Sequence, residues 1–159
     1  MSDMTNHARS GADRNHYTKG RRTMDWKLEL VVVPVSDVDR AKTFYAEKVG
    51  FNVDHDTMVS EGVRVVQLTP PGSACSIALG TGIVESQPGS VQGLQLVVSD
   101  IEAARAELVE RGVEVSEVQE FVGGAWVSAN PPFDDWNAFV FFNDPDSNGW
   151  AVQQGPADD

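Results

Sequence analysis

Aromatic side chains that can contact a ligand are concentrated in residues 119–137, near the C-terminal end of the chain. The four rings are those of Phe121, Trp126, Phe133 and Trp136. Because such rings stack on flat or polycyclic compounds, the sequence predicts that they cover a bound ligand. The neighbouring Asp134–Asp135 pair would hold a cationic group of that ligand. The alternative is that the rings anchor the segment to the core or to a second subunit.

The same segment shows no clear helix or strand pattern. A connection of this length without secondary structure is usually functional or mobile, so we expect a loop with a hinge at Gly123–Gly124. Trp150, beyond the segment, is expected in the core or in an interface rather than against the ligand.

Residue types for nucleophilic or metal chemistry are sparse. Cys75 is the single cysteine and lies in an apolar run, which favours a buried structural thiol and fits a reducing cytoplasm. His55 is the only histidine outside residues 1–24. The chain contains no GxSxG sequence, no phosphate-binding loop and no spacing that resembles a catalytic triad. The sequence therefore gives no support to these classes of enzyme.

The distribution of charge indicates which partners to exclude. The chain carries a formal net charge of −12, and residues 1–24 hold five basic and two acidic residues, which leaves −15 on the other 135 residues. So acidic a surface repels nucleic acid and anionic membranes and favours cationic ligands; the alternative is that the charge serves solubility. No run of apolar residues is long enough for a membrane span or a secretory leader. We therefore expect a cytoplasmic protein with no nucleic-acid or membrane partner.

An internal repeat organises the rest of the chain. Residues 30–38 and 93–101 are similar apolar runs that end in Val-Ser-Asp, at an offset of 63. Helix patterns follow both copies, and Asp37 and Asp100 are typical N-caps. Gly50 and Gly112 are expected to end these helices.

Further strands follow both helices. The patterns predict strands at 51–57, 63–69 and 75–80 in the first half, and at 113–118, 138–143 and 150–154 in the second. The prediction is an α+β fold of two tandem β-α-β-β-β modules, residues 27–80 and 92–154, joined by a linker at 81–91. These modules form one domain over residues 25–156, and residues 1–24 are expected to be a disordered tail.

The spacing of Asp37, Phe44–Tyr45 and Gly50–Phe51, followed by an Asp-Pro-Asp-x-Asn-Gly-Trp turn at 144–150, resembles the vicinal oxygen chelate superfamily. This group includes glyoxalase I, extradiol dioxygenases, fosfomycin-resistance enzymes and bleomycin-resistance proteins. The resemblance covers residues 27–154. It implies that the two modules form a curved sheet around a cavity, and that the protein is a homodimer, often with modules packed across subunits.

The resemblance also locates the positions at which metal-dependent members hold their ion. These four positions fall on Leu30, Ala78, Gly93 and Ala151. Divalent ions need side chains with lone pairs, such as His or Glu, and none of the four residues has one. We therefore expect no metal and no cofactor. A divalent-metal glyoxalase-like enzyme is accordingly the least favoured of the functions considered for this chain.

The alternation of side chains along strands predicts what lines the cavity instead of a metal centre. The first module would contribute Leu30, Val32, Ser76 and Ala78. The second module would contribute Gly93, Gln95, Ala151 and Gln153. Such small or neutral residues indicate a mostly apolar pocket with a few amide groups. The alternative is that they let the two sheets close over a filled core.

Two classes of function follow from these residues. The first is a metal-free small-molecule-binding protein of the bleomycin-resistance kind, which sequesters a bulky aromatic or cationic compound. The alternative is a metal-independent lyase, isomerase or cyclase of secondary metabolism or degradation. In that enzyme the amides of Gln95 or Gln153 would stabilise developing negative charge.

Overall fold

The two repeated aspartates begin the two helices of the fold. In the computed structural model, which describes residues 24–157, the Asp37 carboxylate accepts a hydrogen bond from the backbone N–H of Arg40 at 3.0 Å. The Asp100 carboxylate accepts from the backbone N–H of Ala103 at 3.1 Å. Both N-cap predictions are confirmed. The predicted tail, apart from Met24, lies outside the described residues.

The helices and strands occur in a similar order in the two halves of the chain. The first half contains β1 (Leu30–Val32), α1 (Val38–Thr43), a π-helical continuation of α1 (Phe44–Val49), β2 (Asn52–Ser60), β3 (Val63–Thr69) and β4 (Ser76–Thr81). The second half contains β5 (Leu94–Val98), α2 (Ile101–Glu110), β6 (Gln119–Val122), β7 (Ala125–Ser128), β8 (Phe139–Asn143) and β9 (Gly149–Gln154). No helix within residues 24–157 is long and apolar enough to cross a membrane.

Each half forms its own sheet. The strand order is β1-β4-β3-β2 in the first sheet and β5-β9-β8-β6-β7 in the second. The first strand of each half pairs in parallel with the last, and the remaining pairs are antiparallel. The predicted fold class, α+β with two tandem modules, is confirmed.

The second module differs from its prediction between the helix and β8. The predicted strand at 113–118 is reduced to an isolated bridge between Val115 and Phe142. The predicted loop at 119–137 instead contains a hairpin of β6 and β7. Gly123 and Gly124 form its turn with φ of 60° and 82°, the conformation that two-residue hairpin turns require. The prediction of a loop without secondary structure is therefore wrong for residues 119–128.

The helices cover one face of each sheet, and these faces meet in a shared core. Phe44 and Tyr45 from the first helix lie with ring centroids 6.2 Å from Phe142 and 5.7 Å from Trp150, both on the second sheet. Trp150 is buried, as predicted. We call the opposite face of each sheet its open face.

A buried polar network crosses the seam between the modules. The Tyr45 hydroxyl donates to Asp144 Oδ2 at 2.7 Å and accepts from Trp150 Nε1 at 2.9 Å. Burial, followed by the hydrogen bond to Asp144, raises the pKa of the Tyr45 hydroxyl, which therefore stays protonated and donates. Asp144 Oδ1 accepts from the backbone N–H groups of Asp146 and Asn148, both at 2.9 Å.

Asn148 extends this network to the first strand and the linker. It is fully buried, and its Nδ2 donates to the carbonyl of Pro34 at 2.9 Å and to Asp144 Oδ2 at 2.8 Å. Its Oδ1 accepts from the backbone N–H of Val91 at 3.1 Å. The turn at 144–149 therefore joins the start of one module to the end of the other.

Candidate functional site

The strand register brings together the four predicted site residues of the first module. Leu30 lies beside Ser76, and Val32 lies beside Ala78, in the parallel pairing of β1 and β4. Gln67 on β3 is the other neighbour of Ala78. Since side chains alternate between faces and Ile77 packs into the core, these residues share the open face.

A polar network surrounds this group on the open face. Its members are Asp54, His55, Gln67, Thr69 and Ser76. Thr69 Oγ1 is hydrogen-bonded to Asp54 Oδ2 and lies 2.6 Å from Ser76 Oγ. Gln67 Nε2 donates to Ser76 Oγ at 3.3 Å and to Asp54 Oδ2 at 3.4 Å. Gln67 Oε1 lies 3.2 Å from His55 Nε2.

A register shift explains why Asp54 and His55, adjacent in sequence, contact the same neighbours. Val53 pairs with Leu68 and His55 pairs with Gln67, so Asp54 is an extra residue between them. Such a β-bulge redirects side chains locally. It allows the Asp54 carboxylate to reach the open face beside His55.

The second sheet brings together the cavity residues predicted for the second module. Gln95 pairs with Ala151 across β5 and β9, and Gln95 Nε2 donates to Gln153 Oε1 at 2.6 Å. Gly93 lies just before β5. It lines a cavity of about 470 Å³, together with Phe141 and Ala151. This volume is within the range of about 300–1,000 Å³ that small-molecule sites occupy.

An aromatic surface continues from this cavity across the open face. We give this name to Phe121, Trp126, Phe139 and Phe141. The Trp126 ring centroid lies 5.0 Å from those of both Phe139 and Phe141, in edge-to-face geometry, and 5.2 Å from that of Phe121. Trp126 and Phe121 keep 46% and 49% of their surface exposed. The rings are fixed by one another and remain accessible to a flat ligand.

The other aromatic residues predicted for the site lie elsewhere. Phe133 packs against the hydrophobic core, which is the anchoring role given above as the alternative. The ring of Trp136 lies beside Gly155 at the end of β9, and its carbonyl accepts from Gln153 Nε2 at 2.8 Å. Asp135 Oδ1 accepts from Gln154 Nε2 at 3.3 Å.

The Arg64 guanidinium forms ion pairs on the helix-covered face of the first sheet. Arg64 donates to both oxygens of Asp56, at 2.9 and 2.7 Å, and to Asp39 at 2.8 Å. Hydrogen bonds from Arg64 and then from Lys42 hold the pKa of Asp56 well below its usual range. These cations are therefore paired with Asp56 and Asp39.

The residues at the four positions where the resemblance implies metal ligands do not fit a divalent ion. Leu30, Ala78 and Ala151 carry alkyl side chains and Gly93 carries none, so none can donate a lone pair. Within residues 24–157, no group of three or more His, Cys, Asp or Glu side chains is placed to hold a metal.

Sequence reasoning missed Phe139, Phe141, Asp54 and Thr69. Alternation along β8, with Val140 and Phe142 in the core, was sufficient to place Phe139 and Phe141 on the open face. Thr69 follows from the same alternation along β3, two residues after Gln67. Asp54 depends on the bulge in β2, for which the alternation of residue types gives no signal.

Comparison with known proteins is consistent with this architecture. The profile of the Glyoxalase/Bleomycin resistance protein/Dioxygenase superfamily matches residues 27–152. The crystal structure of TnmS3, an antibiotic binding protein from Streptomyces sp. CB03234, is similar with 33% identity and a TM-score of 0.67, covering 86% of this chain and 100% of that one. The comparison with curated proteins gave no match.

Two further crystal structures are similar. A glyoxalase/bleomycin resistance protein from Streptomyces sp. CB03234 has 35% identity and a TM-score of 0.63, covering 80% of this chain and 100% of that one. A superfamily member from Sphaerobacter thermophilus DSM 20745 has 28% identity and a TM-score of 0.66, covering 83% and 99%. The repeat, the paired sheets and these matches agree, and the chain belongs to the Glyoxalase/Bleomycin resistance protein/Dioxygenase superfamily.

Proposed function

We propose that this protein binds a bulky aromatic small molecule in the cytoplasm, without a metal ion, on the open face of its second sheet. The observation that carries the proposal is the aromatic surface around Trp126. Contiguous exposed apolar patches mark ligand-binding grooves or protein–protein interfaces. The similarity to TnmS3, described as an antibiotic binding protein, supports a ligand of that kind.

The glutamine pair beside the rings would orient the ligand. Gln95 Nε2 donates a hydrogen bond to Gln153 Oε1, and Gln153 Nε2 donates one to the carbonyl oxygen of Trp136. The side-chain oxygen of Gln95, Oε1, has no hydrogen-bond partner within residues 24–157. It is therefore available to accept a hydrogen bond from a hydroxyl or amide group, which is the sparse polar contact typical of apolar sites.

The Trp126→Ala variant tests the aromatic surface. Stacking of one indole contributes about 1–3 kcal/mol by analogy with aromatic stacking of nucleic-acid bases, so we expect a neutral probe, 9-anthracenemethanol, to bind about tenfold or more weakly. Binding is measured from the anisotropy of the anthracene fluorescence.

Val127→Ala is the control, because Val127 follows Trp126 on the same strand and is 41% exposed, but by alternation it lies on the opposite face of the hairpin. We expect it to bind the probe like the parent protein. Equal affinities of the parent and of Trp126→Ala would refute the proposed site.

We further propose that the protein is a homodimer. Met24, Trp26 and Leu28 precede β1 and are exposed, Trp26 by 89%. In an extended chain they alternate onto the same side as Leu30 and Val32, which makes a continuous apolar strip suited to an interface. We expect sedimentation equilibrium to give a dimer, and Trp26→Ser to weaken its association about tenfold. A monomer at all concentrations would contradict the proposal.

A metal-independent isomerase, lyase or cyclase is the second candidate, favoured by the position of His55. Gln67 fixes His55 through Nε2, and Nδ1 has no partner within the described part of the chain. An imidazole so held is suited to general base catalysis. Mass spectrometry of compounds retained from an extract distinguishes the candidates, since sequestration returns the compound unchanged and catalysis returns a new species.

A further inference from the structure

The cavity of about 470 Å³ beside the aromatic surface is formed by small residues on the open face of the second sheet. Gly93 and Gly149 have no side chain, and Ala151 has only a methyl group. Phe141 pairs with Ala151 across β8 and β9, so its ring stands beside the space that these residues leave. One wall of the cavity therefore belongs to the aromatic surface.

Glu114 reaches the same cavity from the chain that precedes β6. The neighbouring Val115 forms an antiparallel bridge with Phe142 of β8, which places Glu114 opposite Asn143. Phe142 lies in the core and Val115 packs against it, so the alternation of side chains directs Glu114 and Asn143 to the open face. Both of them line the cavity.

The register also gives the separation between the Glu114 carboxylate and the aromatic wall. Phe141 lies two residues before Asn143 on β8, so Glu114 and Phe141 are diagonal neighbours across the strand pair. Diagonal neighbours on one face of an antiparallel pair lie about 7–8 Å apart. One small molecule can therefore place a ring against Phe141 and a substituent of that ring against Glu114.

Glu114 determines the charge of the cavity. Among the described residues that line it, Glu114 alone has an ionisable side chain, and the others are glycines, an alanine, aromatic residues and two amides. The nearest cation along the chain, Arg111, pairs with Glu107 at 3.8 Å and donates to the carbonyl of Val49. Glu114 forms no ion pair within residues 24–157. Its charge is therefore left for a ligand, and the acidic field of the chain outside residues 1–24 also attracts cations.

We infer that the ligand is an aromatic compound that carries a protonated amine, and that Glu114 binds the amine in this cavity while the ring stacks on the aromatic surface. The inference rests on the proposed function, because it describes the ligand of the same site. It assigns the cationic group to Glu114, rather than to the Asp134–Asp135 pair to which the sequence pointed. Asp135 already accepts a hydrogen bond from Gln154.

Three probes with the same ring system and different side groups test the inference. They are 9-(aminomethyl)anthracene, 9-anthracenemethanol and 9-anthracenecarboxylate, which present an ammonium, a hydroxyl and a carboxylate at neutral pH. Because a charged hydrogen bond is about twice as strong as a neutral one and Glu114 is exposed to water, we expect the ammonium probe to bind about fivefold more tightly than the alcohol. The carboxylate probe should bind most weakly, and added salt should reduce these differences.

The Glu114→Gln variant should bind the ammonium and alcohol probes with equal affinity, because it keeps the size of the side chain and removes its charge. Glu110→Gln is the matched control, since it removes the same charge from an exposed position of α2 that does not line the cavity. We expect this control to keep the preference of the parent protein. A preference that came from the net charge of the chain would fall equally in both variants.

The Glu114→Lys variant should reverse the order of the charged probes, so that the carboxylate binds more tightly than the ammonium. Circular dichroism and the urea midpoint show whether each variant is folded. Equal binding of the ammonium and alcohol probes by the parent, or an unchanged preference in Glu114→Gln, would overturn the amine site.

The same probes separate this inference from the proposed function. If the alcohol binds through Trp126 and the ammonium probe binds no more tightly, the proposed function stands and the amine site is refuted. A preference for the ammonium that depends on Glu114, together with affinities that do not depend on Trp126, supports Glu114 as the amine contact and refutes the aromatic surface. If no probe binds, both are refuted.

Discussion

Replacing Asp144 by alanine is expected to lower the free energy of unfolding by about 3–5 kcal/mol, because the change leaves several buried donors without an acceptor. The two carboxylate oxygens accept from the Tyr45 hydroxyl, from Asn148 Nδ2 and from two backbone N–H groups. Asp144 itself is only 4% exposed, so water does not replace these contacts without opening the seam.

Urea denaturation, followed by the fluorescence of the tryptophans, measures the loss. Arg40→Ala is the control, since Arg40 is half exposed and forms an ion pair with Asp146 of the same turn at 3.4 Å. Asp146 keeps its hydrogen bonds from Ser36 in this variant, so we expect a loss of about 1 kcal/mol or less. A change for Asp144→Ala no larger than that for Arg40→Ala would show that the seam does not depend on this carboxylate.

The Gly89→Ala variant is expected to be destabilised by about 3 kcal/mol, from backbone strain and steric overlap together. Gly89 has φ of +84°, and a Cβ there would lie 2.1 Å from the carbonyl oxygen of Asp146. That oxygen belongs to the turn that also holds Asn148, so neither partner can move without disturbing the buried network.

Gly72→Ala provides the matched control for this prediction. Gly72 has φ of +83°, and a Cβ there would meet nothing within 4 Å. Gly72→Ala therefore loses only the free energy needed to hold an alanine at a positive φ, which is about 1–2 kcal/mol. The difference between the two urea midpoints measures the overlap. If both variants lose the same stability, the linker does not pack on the turn as described.

The repeat and the helix-covered faces were predictable from the sequence. Asp37 and Asp100 are short polar caps placed before apolar helical stripes, and this local pattern alone decides where each helix begins. Leu94, Leu96 and Val98 alternate along β5, and they pack against the core. These features depend on residue type and spacing within one element.

The hairpin of β6 and β7 was missed although its signal was present. Gly123–Gly124 separates two short runs rich in strand-forming residues, a combination that favours a two-residue turn. The four aromatic rings of residues 119–137 favoured the hypothesis of a ligand-covering loop instead. In the hairpin, Trp126 takes its place beside Phe139 and Phe141 because of pairing between strands that are distant in sequence.

The place of Asp54 in the polar network is more than alternation can predict. Regular alternation places Asp54 and His55 on opposite faces, and only the bulge after Val53 brings both to Gln67. The position of a bulge depends on how two strands fit together. This information is a property of the pair and not of either strand.

The seam also determines how the duplicated halves share their stability. Tyr45 in the first half needs an acceptor from the second, and Pro34 and Val91 are bonded by the same Asn148. Separating the halves would expose unpaired donors and apolar rings in both at once. Unfolding of one half therefore removes hydrogen-bond partners and packing contacts from the other, and destabilises it. The chain is a repeat in its sequence and topology, but we expect it to unfold as one cooperative unit, in a single transition.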